Sequence, residues 1–426
     1  MAESNSPRST ASLNSNNEMS DVRAIAVYLP QYHPVPENDE WWGKGFTEWR
    51  NVTKARPLFP GHYQPHLPAD LGFYDLRLPE LREAQAALAR QYGIHGFCHY
   101  HYWFNGRRIL ERPFNEVLAS GKPEFPFCLC WANENWTRTW DGLDRQVLLE
   151  QRYSAEDDLA HIRSLLPAFA DSRYIRIGNR PVFLVYRTEL LPEPARTAEI
   201  WRNEVARAGL GELYLVRVEN FVSGIDPASI GFDAAMEFAP DGVHVGALRY
   251  RGAAHRLLSK AKLLPEVYAS GKVASYRAMM LGMLAKPDPG FKRFRCVSPM
   301  WDNTARRGAN ARVYVGSTPE LYAQWLEEIS RQTIENSPPE EQIVFINAWN
   351  EWAEGCHLEP DLKWGHRYLE ATASALRAAQ STRHRNVATD AQPSHTHHWV
   401  KQAYWRAMGY LAEQRELLHQ VTGRCG

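Results

Sequence analysis

The chain has 426 residues, 44% hydrophobic and 23% charged, with 49 Lys plus Arg balanced against 49 Asp plus Glu. That length suits one large α/β domain with extensions rather than a minimal core, and the zero formal charge argues against a nucleic-acid binder, whose footprint is a basic excess. No run of about 18 apolar residues is present that would read as a membrane-spanning helix.

Residues 1–21, rich in Ser and Asn and without an apolar signal core, read as a disordered lead-in. Beyond them, eight short apolar runs recur: Ala24–Leu29, Gly96–Tyr102, Phe125–Trp131, Pro181–Tyr186, Leu213–Val218, Ala234–Phe238, Arg295–Trp301 and Gln342–Trp349. Their hydrophobicity is continuous rather than alternating, which marks strands covered on both faces, as in a parallel sheet. Helix-like segments separate most of them: Pro79–Tyr92, Ala155–Ala168, Glu193–Ala208, Pro319–Gln332 and Gly365–Ala379. Pro in the first turn and Gly93 just past the end mark the bounds of the first. Strands alternating with helices predict a (β/α)8 TIM barrel or a large doubly wound sheet, and the count of eight favours the barrel. No helix is visible between strands five and six.

Two connections are longer than plain crossovers. Pro30–Leu78, after strand one, is crowded with Trp, Tyr, His and Pro and predicts a wall of the pocket; Asp241–Phe294, after strand six, carries a basic helical stretch at Arg256–Lys262. The expected catalytic domain is 22–379, followed by 380–426, a polar, His-rich linker and a C-terminal helix over Val400–Val421. Six cysteines lack the paired spacing of a zinc ribbon or a disulfide scaffold. Four of them, Cys98, Cys128, Cys130 and Cys296, fall in strand-like runs where buried, reduced thiols are expected. A cytoplasmic location follows.

In such a barrel the active site lies at the C-terminal ends of the strands. There the sequence concentrates Tyr32 after strand one, His99, His101 and Tyr102 in strand two, and Trp131, Asn133, Glu134 and Trp136 after strand three. Glu219-Asn220 and Glu237 mark strands five and six, Trp301 and Asp302 strand seven, and Asn350, Glu351, Trp352 and Glu354 strand eight. Fifteen Trp, nearly as many as the 16 Phe, sit largely among these polar residues. A pocket walled by acids and indoles suits carbohydrate, with carboxylates for acid and base and rings for pyranose faces.

Glu351 and Glu354, three apart with Gly355 next, are the expected central pair, since two close acids resist ionising together and divide into an acid and a base. The alternative is that Glu354 caps or pairs on a surface helix. Glu134 is the competing acid, weighted toward substrate binding or loop bracing. His99 and His101 share one face of their strand. Such a pair can hold a metal, but no later strand offers further His, so hydroxyl binding is expected and metal is not. P-loop, nucleophile-elbow, H-E-x-x-H and dinucleotide fingerprints are absent from the sequence, and no cofactor is expected.

Four motifs in order, Y-L-P-Q-Y-H-P at Tyr28–Pro34, G-F-T-E-W at Gly45–Trp49, W-A-N-E-N-W at Trp131–Trp136 and N-A-W-N-E-W-A-E-G at Asn347–Gly355, resemble the WbsX-like family. That family is described as polysaccharide-associated glycosyltransferases and is similar to glycoside hydrolase family 99. The resemblance implies a (β/α)8 barrel and retaining, metal-independent cleavage of α-mannoside-type linkages through a 1,2-anhydro sugar. The hydrolases' E-W-x-E motif matches Glu351-Trp352-Ala353-Glu354, implying Glu351 as base toward the 2-hydroxyl and Glu354 as acid/base at the glycosidic oxygen. Ala353 stands where those hydrolases often carry His, a departure that touches substrate preference. The expected partner is an oligosaccharide or polysaccharide, with a surface-polysaccharide glycosyltransferase as the alternative activity and a non-catalytic glycan-binding module as a third.

Overall fold

The computed structural model describes residues 22–138, 143–241, 257–258, 260–263 and 272–387. The expected N-terminal lead-in and the expected C-terminal helix at Val400–Val421 lie outside them. Within the expected basic stretch Arg256–Lys262, Leu257, Leu258 and Lys260 are helical and the Ala261 N–H donates to the Leu257 carbonyl at 2.9 Å.

All eight apolar runs are strands: β1 (Arg23–Tyr28), β2 (Ile94–Phe104), β3 (Phe127–Trp131), β4 (Arg180–Val185), β5 (Tyr214–Glu219), β6 (Ala234–Glu237), β7 (Arg293–Val297) and β8 (Ile343–Ile346). Each pairs in parallel with its neighbours, and β1 joins both β2 and β8, so the sheet closes on itself. The architecture is the (β/α)8 barrel. Continuous apolarity is explained by geometry: β3, β5, β6 and β8 are buried at every position, because the lumen packs one face and the helices the other.

The outer ring is α1 (Pro79–Gln91), α2 (Arg112–Ser120), α3 (Ala155–Ala170), α4 (Pro194–Arg207), α5 (Tyr276–Leu284), α6 (Pro319–Asn336) and α7 (Arg367–Val387). Local chemistry sets their starts. Ser154 and Thr318 accept hydrogen bonds from the Asp157 and Leu321 backbone N–H groups, and Pro sits in the first turn of α1, α2, α4 and α6. Between β5 and β6 there is only a short 3-10 turn, Pro227–Ile230, in agreement with the missing helical pattern. Two ring helices were not visible in the sequence. α2 is one short segment, and α5 (YRAMMLGML) is apolar on nearly all sides and so shows no amphipathic period. α7 runs on to Val387, past the polar boundary expected at residue 380.

Short strands decorate the C-terminal rim. Trp136–Arg138 pairs antiparallel with Leu143–Leu149, and Lys272–Ser275 pairs in parallel with Arg312–Val315. Among the described residues no helix is long and apolar enough to cross a membrane.

Candidate active site

A cleft opens at the C-terminal end of the barrel. Its lining comes from successive strand ends: Gln31 after β1, Tyr100, Tyr102 and Phe104 in β2, Glu134 and Trp136 after β3, and Tyr186 after β4. Phe238 after β6, Arg306 after β7, and Asn347, Glu351 and Glu354 after β8 also line it.

The turn that carries the two glutamates is built from the backbone up. Asn350 and Glu351 pair antiparallel with His357 and Cys356, and Trp352–Glu354 makes a 3-10 turn between them. Asn350 clips this turn to β1: its Oδ1 accepts from the Leu29 N–H at 2.7 Å and its Nδ2 donates to the Leu29 carbonyl at 3.0 Å. Tyr32 hydroxyl donates to the Asn350 carbonyl at 2.6 Å and accepts from the Trp352 N–H at 3.2 Å. The turn closes at Gly355, whose φ of +53° is left-handed and whose missing Cβ would stand 2.9 Å from the Asp302 carbonyl oxygen. Gly355→Ala is therefore expected to lower stability by on the order of 1–3 kcal/mol. Urea denaturation reads the loss, and an unchanged midpoint would show that the turn adapts freely.

Arg306, on a four-residue helix Thr304–Arg307 after β7, is the hub of the site. Its guanidinium reaches Glu354 at 2.8 Å, Glu351 at 3.0 Å and Glu48 at 3.3 Å. Glu48 belongs to the G-F-T-E-W motif in the long connection after β1, so that connection supplies the third carboxylate. Burial pushes the Glu351 carboxyl up to about 8; Arg306 opposes the rise, while Glu354 and Glu48 add to it. Glu48 is raised for the same first reason, burial, again against Arg306. One cation thus gathers three acids, and burial tips Glu351 toward its protonated form.

The opposite wall is aromatic. Trp136 stacks on Tyr102 with ring centroids 5.3 Å apart and is braced edge-on by Trp41 at 5.6 Å. Such a shelf offers a flat apolar face beside the acids. Glu134 lies on the rim in an ion pair with Arg187. Burial raises its carboxyl and Arg187 pulls it back.

Of the residues expected in the site, the structure brings Tyr102, Glu134, Trp136, Glu351 and Glu354 to the cleft. The others stand elsewhere. His99 and His101 do share a face, but it is the outer one. His99 packs among Tyr28, Phe97 and Phe114, and His101 meets His161 of α3 with ring nitrogens 2.9 Å apart. Burial lowers both imidazoles, His99 to about 3. Trp131 also faces the helices, against His161 and Trp201. Tyr32, Asn350 and Trp352 form the scaffold behind the glutamate turn, with Trp352 Nε1 donating to Glu359 at 2.7 Å. Asn133 is fully buried and binds the Arg187 N–H and carbonyl, fixing the β3 and β4 ends to each other. Glu237 is locked by Arg295 at 2.9 Å and Lys286 at 3.1 Å; burial would raise it, but those cations bring it down to about 2. Trp301 packs against the core as a partly buried ring outside the cleft lining. Glu219 pairs with Arg217, and Asp302 accepts from Gln64 and meets His62 at 2.6 Å. Asn220 meets the Tyr186 hydroxyl.

The site residues missed in the sequence are chiefly Arg306, in the cleft lining, and Glu48, buried behind it. A usable signal existed for the first: several carboxylates at strand ends need a cation, and Arg306 is the first arginine past strand seven.

Comparison with known proteins agrees with the architecture. The GH99 endo-alpha-mannosidase from Bacteroides thetaiotaomicron has a TM-score of 0.52 at 15% identity, covering 86% of this chain and 99% of that one. Its complex with bis-tris-propane has a TM-score of 0.50 at 14% identity, with the same coverage. At such identity the likeness is one of fold. Two curated relatives named "Uncharacterized protein WxcX", from two strains of Xanthomonas campestris pv. campestris, are each 46% identical over 366 residues, 86% of this chain and 50% of theirs. The chain thus spans about half the length of the curated relatives it matches. Residues 24–372 match the model of the family described as Glycosyltransferase WbsX, and with most of its length inside that match the chain belongs to this family.

Proposed function

We propose that the chain is a carbohydrate-active enzyme that breaks or transfers α-linked glycosidic bonds, of mannose type, with Glu351 and Glu354 as its acid/base pair. The observation that carries this reading is the convergence of both glutamates on Arg306 at the mouth of a barrel cleft that faces a Trp136–Tyr102 shelf. In the proposed step, a carboxylate at 351 takes the 2-hydroxyl proton, O2 attacks C1, and the C1–O bond to the leaving sugar breaks. Glu354 protonates the departing oxygen, leaving a 1,2-anhydro sugar. Water or an acceptor hydroxyl then opens it with the proton transfers reversed, which retains configuration.

The ligand-free proton on Glu351 enters this cycle directly. Base duty requires it to leave, and passing it to Glu354 supplies the acid that the leaving oxygen needs. Activity depends on that proton, so kcat/KM falls as pH rises through about 8. A rate that climbs steadily from pH 7 to 9 would contradict the assignment. Stability carries the same signature. A carboxyl raised on folding makes the native state bind more protons between its unfolded value, about 4.3, and about 8. Stability from this group is therefore fully present below the unfolded value and is lost as pH rises through the folded one. Glu351→Gln flattens that slope, and Tm against pH measures it.

A second reading, transfer from a nucleotide- or lipid-linked donor in bacterial surface-polysaccharide assembly, is favoured by the family's description. Incubation with α-linked oligosaccharides and, separately, with nucleotide sugars separates the two: only a nucleotide-using transferase releases nucleotide in an acceptor-dependent way. Among the described residues, five free, buried cysteines support a reducing, cytoplasmic setting for either activity. The glycan is the proposed partner, with no role for nucleic acid.

A further inference from the structure

Away from the cleft, the connection after β1 and the segment after the glutamate turn meet around His66, His357 and Asp361, all buried. One ligand-capable atom from each lies within 4.8 Å of the others. His66 Nδ1 is 3.0 Å from His357 Nε2, which is 3.9 Å from Asp361 Oδ2. We propose that these three side chains bind a divalent transition-metal ion of the zinc class, tying the two segments together behind the turn that carries Glu351 and Glu354.

Three features aim the donors inward. His357 Nδ1 is 2.9 Å from the Glu359 carbonyl oxygen. A carbonyl only accepts, so Nδ1 carries the hydrogen and the Nε2 lone pair points at His66 and Asp361. This is the outer hydrogen bond that orients a metal-binding imidazole. Asp361 Oδ1 accepts from the Lys363 and Trp364 N–H groups at 3.0 and 2.5 Å, which fixes the carboxylate. Its other oxygen, Oδ2, is buried without a hydrogen-bond partner. Burial raises the Tyr63 phenol, and the Asp361 carboxylate, within hydrogen-bond range of its hydroxyl, raises it further. The rings themselves are immobilised: Tyr63 stacks on His66 at 4.4 Å and Trp352 on His357 at 3.8 Å.

A hydrogen bond between the two imidazoles accounts for the 3.0 Å contact but leaves the Asp361 oxygen unmatched. A buried carboxylate with at most one phenol to satisfy that oxygen is costly, and a cation answers it. Burial keeps both imidazoles neutral, the form that ligates. Two nitrogens and one oxygen suit zinc rather than magnesium or calcium, which take oxygen ligands. Donor atoms each about 2.1 Å from a tetrahedral ion stand about 3.4 Å apart, against 3.0 Å between the two nitrogens and 3.9 Å from His357 Nε2 to Asp361 Oδ2.

The test uses the whole chain, freed of metal with a chelator and titrated with zinc, cobalt(II) or magnesium chloride. Zinc is expected to raise Tm at one equivalent, cobalt to show the ligand-field bands of a low-coordinate site, and magnesium to do neither. Asp361→Asn and His66→Gln should each weaken zinc binding by more than the roughly 10–100-fold that loss of an outer partner costs. If one variant does not fold, the other and the cobalt spectrum still decide. Absence of both responses in the wild type overturns the proposal. So does zinc uptake that both variants leave unchanged, which would place the metal on another cluster such as His395, His397 and His398.

Discussion

Glu354→Gln is expected to lower turnover of an α-linked oligosaccharide by about 10²- to 10⁴-fold, the usual contribution of a positioned proton donor. The amide keeps the shape of the side chain and can still accept from Arg306, now 2.8 Å from the carboxylate, so folding and substrate binding should be little changed. The loss therefore falls in kcat rather than KM. Single-turnover rates on matched wild-type and variant protein measure it, and activity within a fewfold of wild type removes Glu354 from the proton path.

The second large effect belongs to Arg306. With Met at this position, Glu48, Glu351 and Glu354 would share a buried corner with no cation between them. Removing one member of a buried ionic cluster costs about 3–5 kcal/mol, because the groups left behind remain desolvated and uncompensated. Denaturation at pH 7 should show that loss, and at pH 5 a smaller one, since protonation relieves the repulsion of the stranded carboxylates. Loss below about 1 kcal/mol at both pH values would mean that the three acids do not depend on the guanidinium.

These two residues also show how far the sequence could be read. Glu354 was visible because it follows a strongly apolar strand and stands three residues from a second acid before Gly355. Arg306 was not, because it sits on a four-residue helix too short for periodicity to assign a direction, and its role is clear only when three distant segments converge. The barrel itself was legible because double burial writes long apolar runs into β1–β8, whereas α5, buried on most sides, wrote no amphipathic stripe. Direction was the recurrent gap. Alternation puts His99 and His101 on one face, but which face looks inward depends on how the barrel closes. The strand-end position of Asn133, Asn350 and Trp352 was read correctly, yet loop side chains turn either into the cleft or behind it. These three turn behind it, where Asn350 clips β1 and Trp352 meets Glu359 and His357. Glu48 lies inside the G-F-T-E-W motif, and only its contact with Arg306 gives it a role.

The central claim is that Glu351 and Glu354 act together on one glycosidic bond. It is tested most directly by the structure of the Glu354→Gln variant with an unbroken α-linked oligosaccharide. The expected result is a sugar ring against Trp136, with its 2-hydroxyl within about 2.6–3.2 Å of Glu351 and the scissile oxygen at similar range from residue 354. An oligosaccharide bound elsewhere on the barrel, or seated in the cleft with its glycosidic oxygens beyond hydrogen-bond reach of both positions, would contradict it.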